Sequence, residues 1–360
     1  MKKFLSAVLL VALVGPAMAQ QSVPEIKFTS VPNFPDLPNG QNFGEVAGVA
    51  TNSKGNVFVF TRSTPEIAGP VFGQAAAQLY EFDANGKFIR EIAKGLYGFA
   101  AAHSVRVDKA DNIWTIDKGT NMIVQLSPAG RVMSVYGRRQ EGVAEVEGGG
   151  QPKPKPGEHL PAVEGNFRLP TDVAWDSKGN TYITDGYVNA RVAKFDKNGD
   201  FVKMWGEHGT GDSQFNTPHA IAIDKADNIY VGDRGNARVQ VFDVDGKFLR
   251  KFTVNVPPDP KSRAVNGNTP KGEGMMRGVG APNSLCIPPD NDKVLFLGES
   301  TWPGRIFKLS TDGKVLGVIG RSGRQHGSFS GGHQLACPSE FVIYVAETSN
   351  WRVQKLMLQK

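Results

Sequence analysis

Half of the six histidines in this 360-residue chain, His103, His219 and His333, stand at one phase of an internal repeat. Imidazole is the commonest side-chain metal ligand. Three imidazoles hold Zn²⁺ at ~2.0–2.1 Å per nitrogen and leave a fourth position open, the arrangement of a catalytic rather than a structural zinc. Ordinary packing gives three histidines no reason to share a phase, so the trio is the first candidate for chemistry. His159, His208 and His326 fall in loop segments outside that phase and read as surface residues.

A second shared phase closes the segments that follow. It reads Thr61-Arg62, Asp117-Lys118, Asp185-Gly186-Tyr187, Asp233-Arg234, Glu299-Ser300 and Glu347-Thr348. Arg62 and Arg234 are in phase there, and Arg62 reads as replacing the usual acidic turn. A planar guanidinium binds carboxylate through two parallel hydrogen bonds, which suits a substrate acid beside a metal. Tyr187 falls at the same mouth, where a phenol close to a dication and guanidinium groups is a candidate general base. Arg191, Arg238, Arg305 and Arg352 begin later segments at equivalent sites and read as repeat arginines paired with the turn acids.

The elements that must position these groups are short strands. His103 to Trp114 and His219 to Tyr230 share the turn Asp-Lys-Ala-Asp-Asn between two apolar runs, so each is a β-hairpin. A third run, a Gly-containing turn and a fourth strand follow, as in Gln240 to Arg250. Four strands recurring at about 40 residues make a propeller blade, whose faces are buried only by stacking on neighbours. Six copies begin near Phe43, Phe99, Phe167, Phe215, Gly280 and Phe329, and they resemble NHL repeats. The last copy stops after its third strand at Lys355–Leu358, and the spare run Glu25–Ser30 is expected to supply the fourth. The expected fold is therefore all-β: a six-bladed β-propeller of NHL type closed by an N-terminal strand.

Aligned on this repeat, the innermost strands carry Ala47, His103, Thr171, His219, Asn283 and His333 at one level. Alternate blades of a six-fold ring stand about 120° apart, so the three imidazoles converge on the axis.

Residues 1–19, with Lys2, Lys3, an apolar run and Ala17-Met18-Ala19, have the layout of a cleaved secretory signal, and the propeller is expected over 20–360. The expected location is periplasmic or secreted, with no membrane span. Cys286 and Cys337 sit in different repeats at non-equivalent depths, which argues against a bond between them. The formal charge of +6 is mild and spread through polar turns, excluding a nucleic-acid surface. Insertions at 138–166 and 254–279, rich in Gly and Pro, have no strand or helix period and are expected to be loops over one face that order around a partner.

Val49 to Arg62, His103-Ser-Val105, Pro170-Thr-Asp-Val173, Asp185-Gly-Tyr-Val-Asn-Ala-Arg191, Phe215-Asn-Thr-Pro-His219, Asp233 to Gln240 and His333 together resemble the peptidyl-α-hydroxyglycine α-amidating lyase family. This is the lyase domain of peptidylglycine α-amidating monooxygenases. The resemblance covers nearly all of the chain after the signal. It implies zinc on His103, His219 and His333, substrate contacts from Arg62, Tyr187 and Arg234, and Tyr187 as the base. The implied reaction splits a peptidyl-α-hydroxyglycine into an amide and glyoxylate. It also implies a structural calcium at Val49, Val105 and Gln334, where Gln334 departs from the family's aspartate and removes a charge. The family's Met-Pro before its last histidine is Gly331-Gly332 here, and Val188 stands where it has a cysteine.

Two other readings compete with the exported metal-dependent lyase. One is a non-catalytic NHL-repeat scaffold gripping a periplasmic protein through the insertions. The other is a propeller hydrolase or lactonase, which wants carboxylate and Asn ligands in the channel and finds Asn283.

Overall fold

The computed structural model describes residues 23–38, 40–62, 77–139, 159, 161–259, 261, 265, 278–300 and 302–359. Residues 1–19 and most of the two insertions lie outside these. Six four-stranded antiparallel sheets form a six-bladed propeller. Their innermost strands are Glu45–Thr51, Ala102–Val107, Asp172–Trp175, Pro218–Ile223, Pro282–Cys286 and Gly332–Ser339. Phe28–Ser30 pairs with Arg352–Leu358 as the outer strand of the sixth blade, Phe28 opposite Leu358, so the ring closes as the sequence indicates. Among the described residues no helix is long and apolar enough to cross a membrane.

Each blade is sticky on both faces, and six apolar clusters fill the seams between neighbours. Phe60 of blade one meets Phe99 at the start of blade two at 4.9 Å between ring centres. Second strands such as Ile113–Asp117 are buried along their whole length, whereas outer strands such as Val132–Gly137 are largely exposed. The Asp-Lys-Ala-Asp-Asn turn also has a mechanical role. Asp108 and Asp224 accept from backbone N–H groups inside their own turns. Asp111 and Asp227, at φ of 62° and 61°, accept from Ser53 and Ser177 of the preceding blade. Every such turn therefore ties one blade to the last.

Two sequence expectations change. Cys286 and Cys337 are joined, with Cα atoms 6.1 Å apart. Their strands belong to neighbouring blades, and Cys337 lies where the pairing of its strand shifts register, between Ala336 and Ser339. The second insertion is irregular from its first residue, as expected, but its start is not a surface loop. Val254 and Val256 are 2% and 9% exposed and pack in the seam between blades four and five. Two valines at alternate positions suffice to extend that seam, although the insertion's composition as a whole could not.

Candidate metal centre

The innermost strands share an irregularity that builds the centre. Pairing with the second strand skips one residue between Val46 and Gly48, Ala102 and Ser104, Pro218 and Ala220, Pro282 and Ser284, and Gly332 and Gln334. The skipped residues are Ala47, His103, His219, Asn283 and His333. A bulge of this kind re-aims the side chain and takes its peptide group out of the ladder. Thr171 lies at the same level of blade three, just ahead of its strand.

The released carbonyls orient the imidazoles. His103 Nδ1 donates to Thr171 O, His219 Nδ1 to Asn283 O and His333 Nδ1 to Ala47 O, each at 2.7 Å. In every case the acceptor is the equivalent residue of the next blade. A carbonyl only accepts, so each Nδ1 carries the proton and each Nε2 turns a lone pair inward. The ligating nitrogens all lie within 4.8 Å of one another. Burial is the first cause that holds all three well below the ordinary imidazole value, followed for His103 by the other two imidazoles, for His219 by Arg234 and for His333 by Arg62. They are neutral, the form that ligates.

Tyr187 completes the cluster. Its hydroxyl lies 3.2 Å from His103 Nε2 and 3.1 Å from His219 Nε2. One hydroxyl proton cannot serve two lone pairs, so an imidazole nitrogen faces the axis without a donor, as a ligand awaiting a cation would. The donor set fits Zn²⁺. Gly186 sets this position: a Cβ there would stand 2.0 Å from Pro218 O, so only glycine lets the Tyr187 turn lie against blade four.

Arg62 Nε donates to Ala102 O at 2.7 Å and its Nη1 to Glu45 at 2.8 Å. Arg234 Nη1 donates to Asn283 Oδ1 at 3.1 Å, and its guanidinium lies 5.2 Å from the Tyr187 ring centre. The strand pairing corrects the reading of Arg62: Thr61 occupies the acidic turn position, opposite Val46 as Asp117 is opposite Ala102, and Arg62 follows it. Arg191, Arg238, Arg305 and Arg352 do pair with Asp185, Asp233, Glu299 and Glu347. They are scaffold.

Sequence reasoning missed Lys118, although its place directly after Asp117 is that of Arg62 after Thr61 and Arg234 after Asp233. Its ammonium stands 5.1 Å from the Tyr187 ring centre. His208, assigned to the surface, donates from Nε2 to Val188 O and stacks on His159 at 3.5 Å, away from the triad.

Val49, Val105 and Gln334 do meet, below the histidines, but they do not fit a calcium ion. Gln334 Oε1 accepts from Val49 N at 2.9 Å and Val105 N at 3.1 Å, which uses both of its lone pairs. Its Nε2 donates to Ser104 Oγ. The neighbouring Arg106 guanidinium pairs with Asp172 at 2.6 Å and donates to Leu285 O and Leu335 O. The Gln334 amide is thus tied through Ser104 to Asp172, whose charge a fixed cation already matches.

A family model described as NHL repeat matches residues 215–242, within the fourth blade. The chain is a six-bladed propeller with an NHL repeat in its fourth blade. Rat peptidylglycine α-amidating monooxygenase is 31% identical to it over 231 residues, 58% of this chain and 22% of the rat protein. The chain thus spans about a fifth of that relative's length. Peptidyl-α-hydroxyglycine α-amidating lyase 1 of Drosophila melanogaster is 24% identical over 347 residues, 89% of this chain and 58% of the fly protein. Among solved structures, a streptogramin B lyase covers 92% of this chain and 98% of its own at 14% identity, with a TM-score of 0.54, which speaks for the fold alone.

Proposed function

We propose that this chain is an exported, zinc-dependent carbon–nitrogen lyase that splits an α-hydroxyglycine-type substrate into an amide and glyoxylate. The observation that carries the proposal is the Tyr187 hydroxyl within 3.2 Å of two inward-facing Nε2 atoms, with Arg62 and Arg234 at the same mouth. The lyase name of the fly relative supports the reaction class. The Cys286–Cys337 bond supports an oxidising compartment.

Zinc bound by the three imidazoles would act as a Lewis acid toward the substrate's oxygen. Tyr187, acting as its phenolate, takes the proton of the α-hydroxyl, the electron pair of that O–H bond becomes the second bond of the aldehyde, and the C–N bond breaks. The leaving amide nitrogen takes a proton, which Tyr187 can return, so the reaction consumes none. Arg62 and Arg234 hold the glycine carboxylate, and their charge offsets the negative charge that develops. The carbonyls of Thr171, Asn283 and Ala47 keep the imidazoles aimed throughout.

The hydrolase reading loses its ligand. Asn283 receives Arg234 on its oxygen and donates to Gly332 O, and Asp172 is paired with Arg106. Metal analysis of the purified protein alongside glyoxylate release from α-hydroxyhippurate tests the proposal. Stoichiometric zinc and glyoxylate support it. Metal without glyoxylate ends the lyase reading and leaves the site.

A further inference from the structure

Arg62, Lys118 and Arg234 occupy the same position in blades one, two and four, the residue after the turn position at the end of the second strand. In the other three blades that position holds Gly186, Ser300 and Thr348. Cations therefore stand at three positions of the mouth, two of them, Lys118 and Arg234, against the Tyr187 ring. Arg62 has Glu45 and Ala102 O, and Arg234 has Asn283. Lys118 is partly buried, and among the described residues its ammonium has no hydrogen-bond or ion-pair partner beyond its 5.1 Å contact with the Tyr187 ring. The groups that face it are Tyr187, Arg62, Glu45 and Arg234.

An ammonium that gives up water without gaining a counter-ion is costly, and among the described residues three cations against the one carboxylate of Glu45 leave the mouth positive before any metal binds. Asp117, the adjacent acid, does not relieve it, because its carboxylate accepts from Ala100 N, Ala101 N and Thr120. One glycine carboxylate held by Arg62 and Arg234 still leaves Lys118 unmatched. We propose that Lys118 binds a second anion, so that the preferred substrates are α-hydroxyglycines whose acyl group itself carries a carboxylate. This rests on the lyase reading for the site, and it names the substrate class within it.

The test separates the two by reading binding apart from turnover. N-succinylglycine, a dianion, and hippurate, a monoanion, are titrated into the zinc-loaded full chain by calorimetry, for wild type, Lys118→Gln and Lys118→Arg. Wild type is expected to bind the dianion at least ~10-fold tighter than the monoanion, the scale of one charge-assisted hydrogen bond. That ratio should fall about tenfold in Lys118→Gln and largely return in Lys118→Arg, which restores charge in place. Salt should lower it in wild type. An equal ratio in wild type and Lys118→Gln overturns the proposal, as does a wild type without preference. Glyoxylate release from the corresponding α-hydroxy compounds is measured separately and bears only on the lyase reading: both can stand, or either can fall alone.

Discussion

His103 Nδ1 donates to the carbonyl oxygen of Thr171 at 2.7 Å, across the seam between blades two and three. The same bond recurs from His219 to Asn283 and from His333 to Ala47. Orientation of the site is thus a property of the ring and not of any one blade. A bulge aims each imidazole inward, and the carbonyl freed at the next blade fixes its tautomer. Replacing one histidine should therefore leave the other two in place. His219→Ala is expected to keep the fold, read by circular dichroism, and to lose zinc. The loss in affinity should exceed the ~10–100-fold that removing an outer-shell partner costs. A variant that retains stoichiometric zinc would show that the ion sits elsewhere.

The three imidazoles also make the metal-free protein sensitive to acid. Their folded values lie well below 6.5, with burial the largest cause. Below 6.5 the unfolded chain therefore takes up protons that the native state refuses. Stability is fully present above that value and is lost as pH falls beneath it. Chelator-treated wild type should show a steeper drop in Tm from pH 7 to pH 5 than chelator-treated His219→Ala. Buried carboxylates such as Asp117 and Asp185 titrate in both proteins and cancel in the comparison. Parallel curves would mean the imidazoles protonate freely in the native state.

Gly186 and Tyr187 separate placement of the base from its chemistry. Tyr187→Phe removes a hydroxyl and little else, so zinc and Tm should hold while kcat falls by ~10²–10⁴, the range for losing a general base. Gly186→Ala forces a Cβ to within 2.0 Å of Pro218 O, so the turn must move and carry Tyr187 with it. It should match the loss in kcat and also cost about 1–3 kcal/mol of stability, measured by denaturant titration. Full activity in Gly186→Ala would mean the turn does not position the phenol.

The repeat made the histidines legible, because a four-strand blade has a phase and a phase is visible in Asp-Lys-Ala-Asp-Asn turns. N-terminal closure was legible for the same reason: a blade lacking one strand and a strand lacking a blade stand at opposite ends. What sequence could not carry was register detail. The bulges that re-aim Ala47, His103, His219, Asn283 and His333 leave no mark on composition, so the carbonyl tethers were invisible. The Cys286–Cys337 bond lies at a further register shift, and depth counted in residues misjudged it. Lys118 was in view but sat between an acid and a glycine, as turn lysines do. Only its lack of a hydrogen-bond or ion-pair partner among the described residues distinguishes it.

Arg62 grips the mouth at two points, Ala102 O and Glu45, through separate nitrogens of one rigid fork. Lysine carries the charge but not the fork. Arg62→Lys is expected to raise KM for α-hydroxyhippurate about tenfold or more while zinc content and Tm hold, because a charge-assisted bond is lost and no ligand is touched. Steady-state kinetics with glyoxylate detection reads the split. An unchanged KM would remove Arg62 from carboxylate binding and leave Arg234 as the sole guanidinium for that role.

Below the imidazoles, the Arg106–Asp172 pair is linked through Ser104 to Gln334, one of the residues on which the resemblance implies a calcium ion, and the two arrangements predict opposite responses to a calcium chelator. A calcium-dependent channel would lose Tm in EGTA and regain it on adding the ion, since binding to the native state alone shifts stability by mass action. A channel held by a guanidinium should respond to neither. It should respond strongly to Arg106→Met, which strands Asp172 at 2.6 Å from a vanished partner and leaves Leu285 O and Leu335 O without their donor. Breaking one side of a buried pair costs ~3–5 kcal/mol, whereas replacing both partners by apolar groups costs far less. Arg106→Met should therefore be markedly less stable than the double variant Arg106→Met, Asp172→Leu. If calcium instead rescues Arg106→Met, the guanidinium has been standing in for that ion, and the unpaired Asp172 supplies the charge that Gln334 lacks.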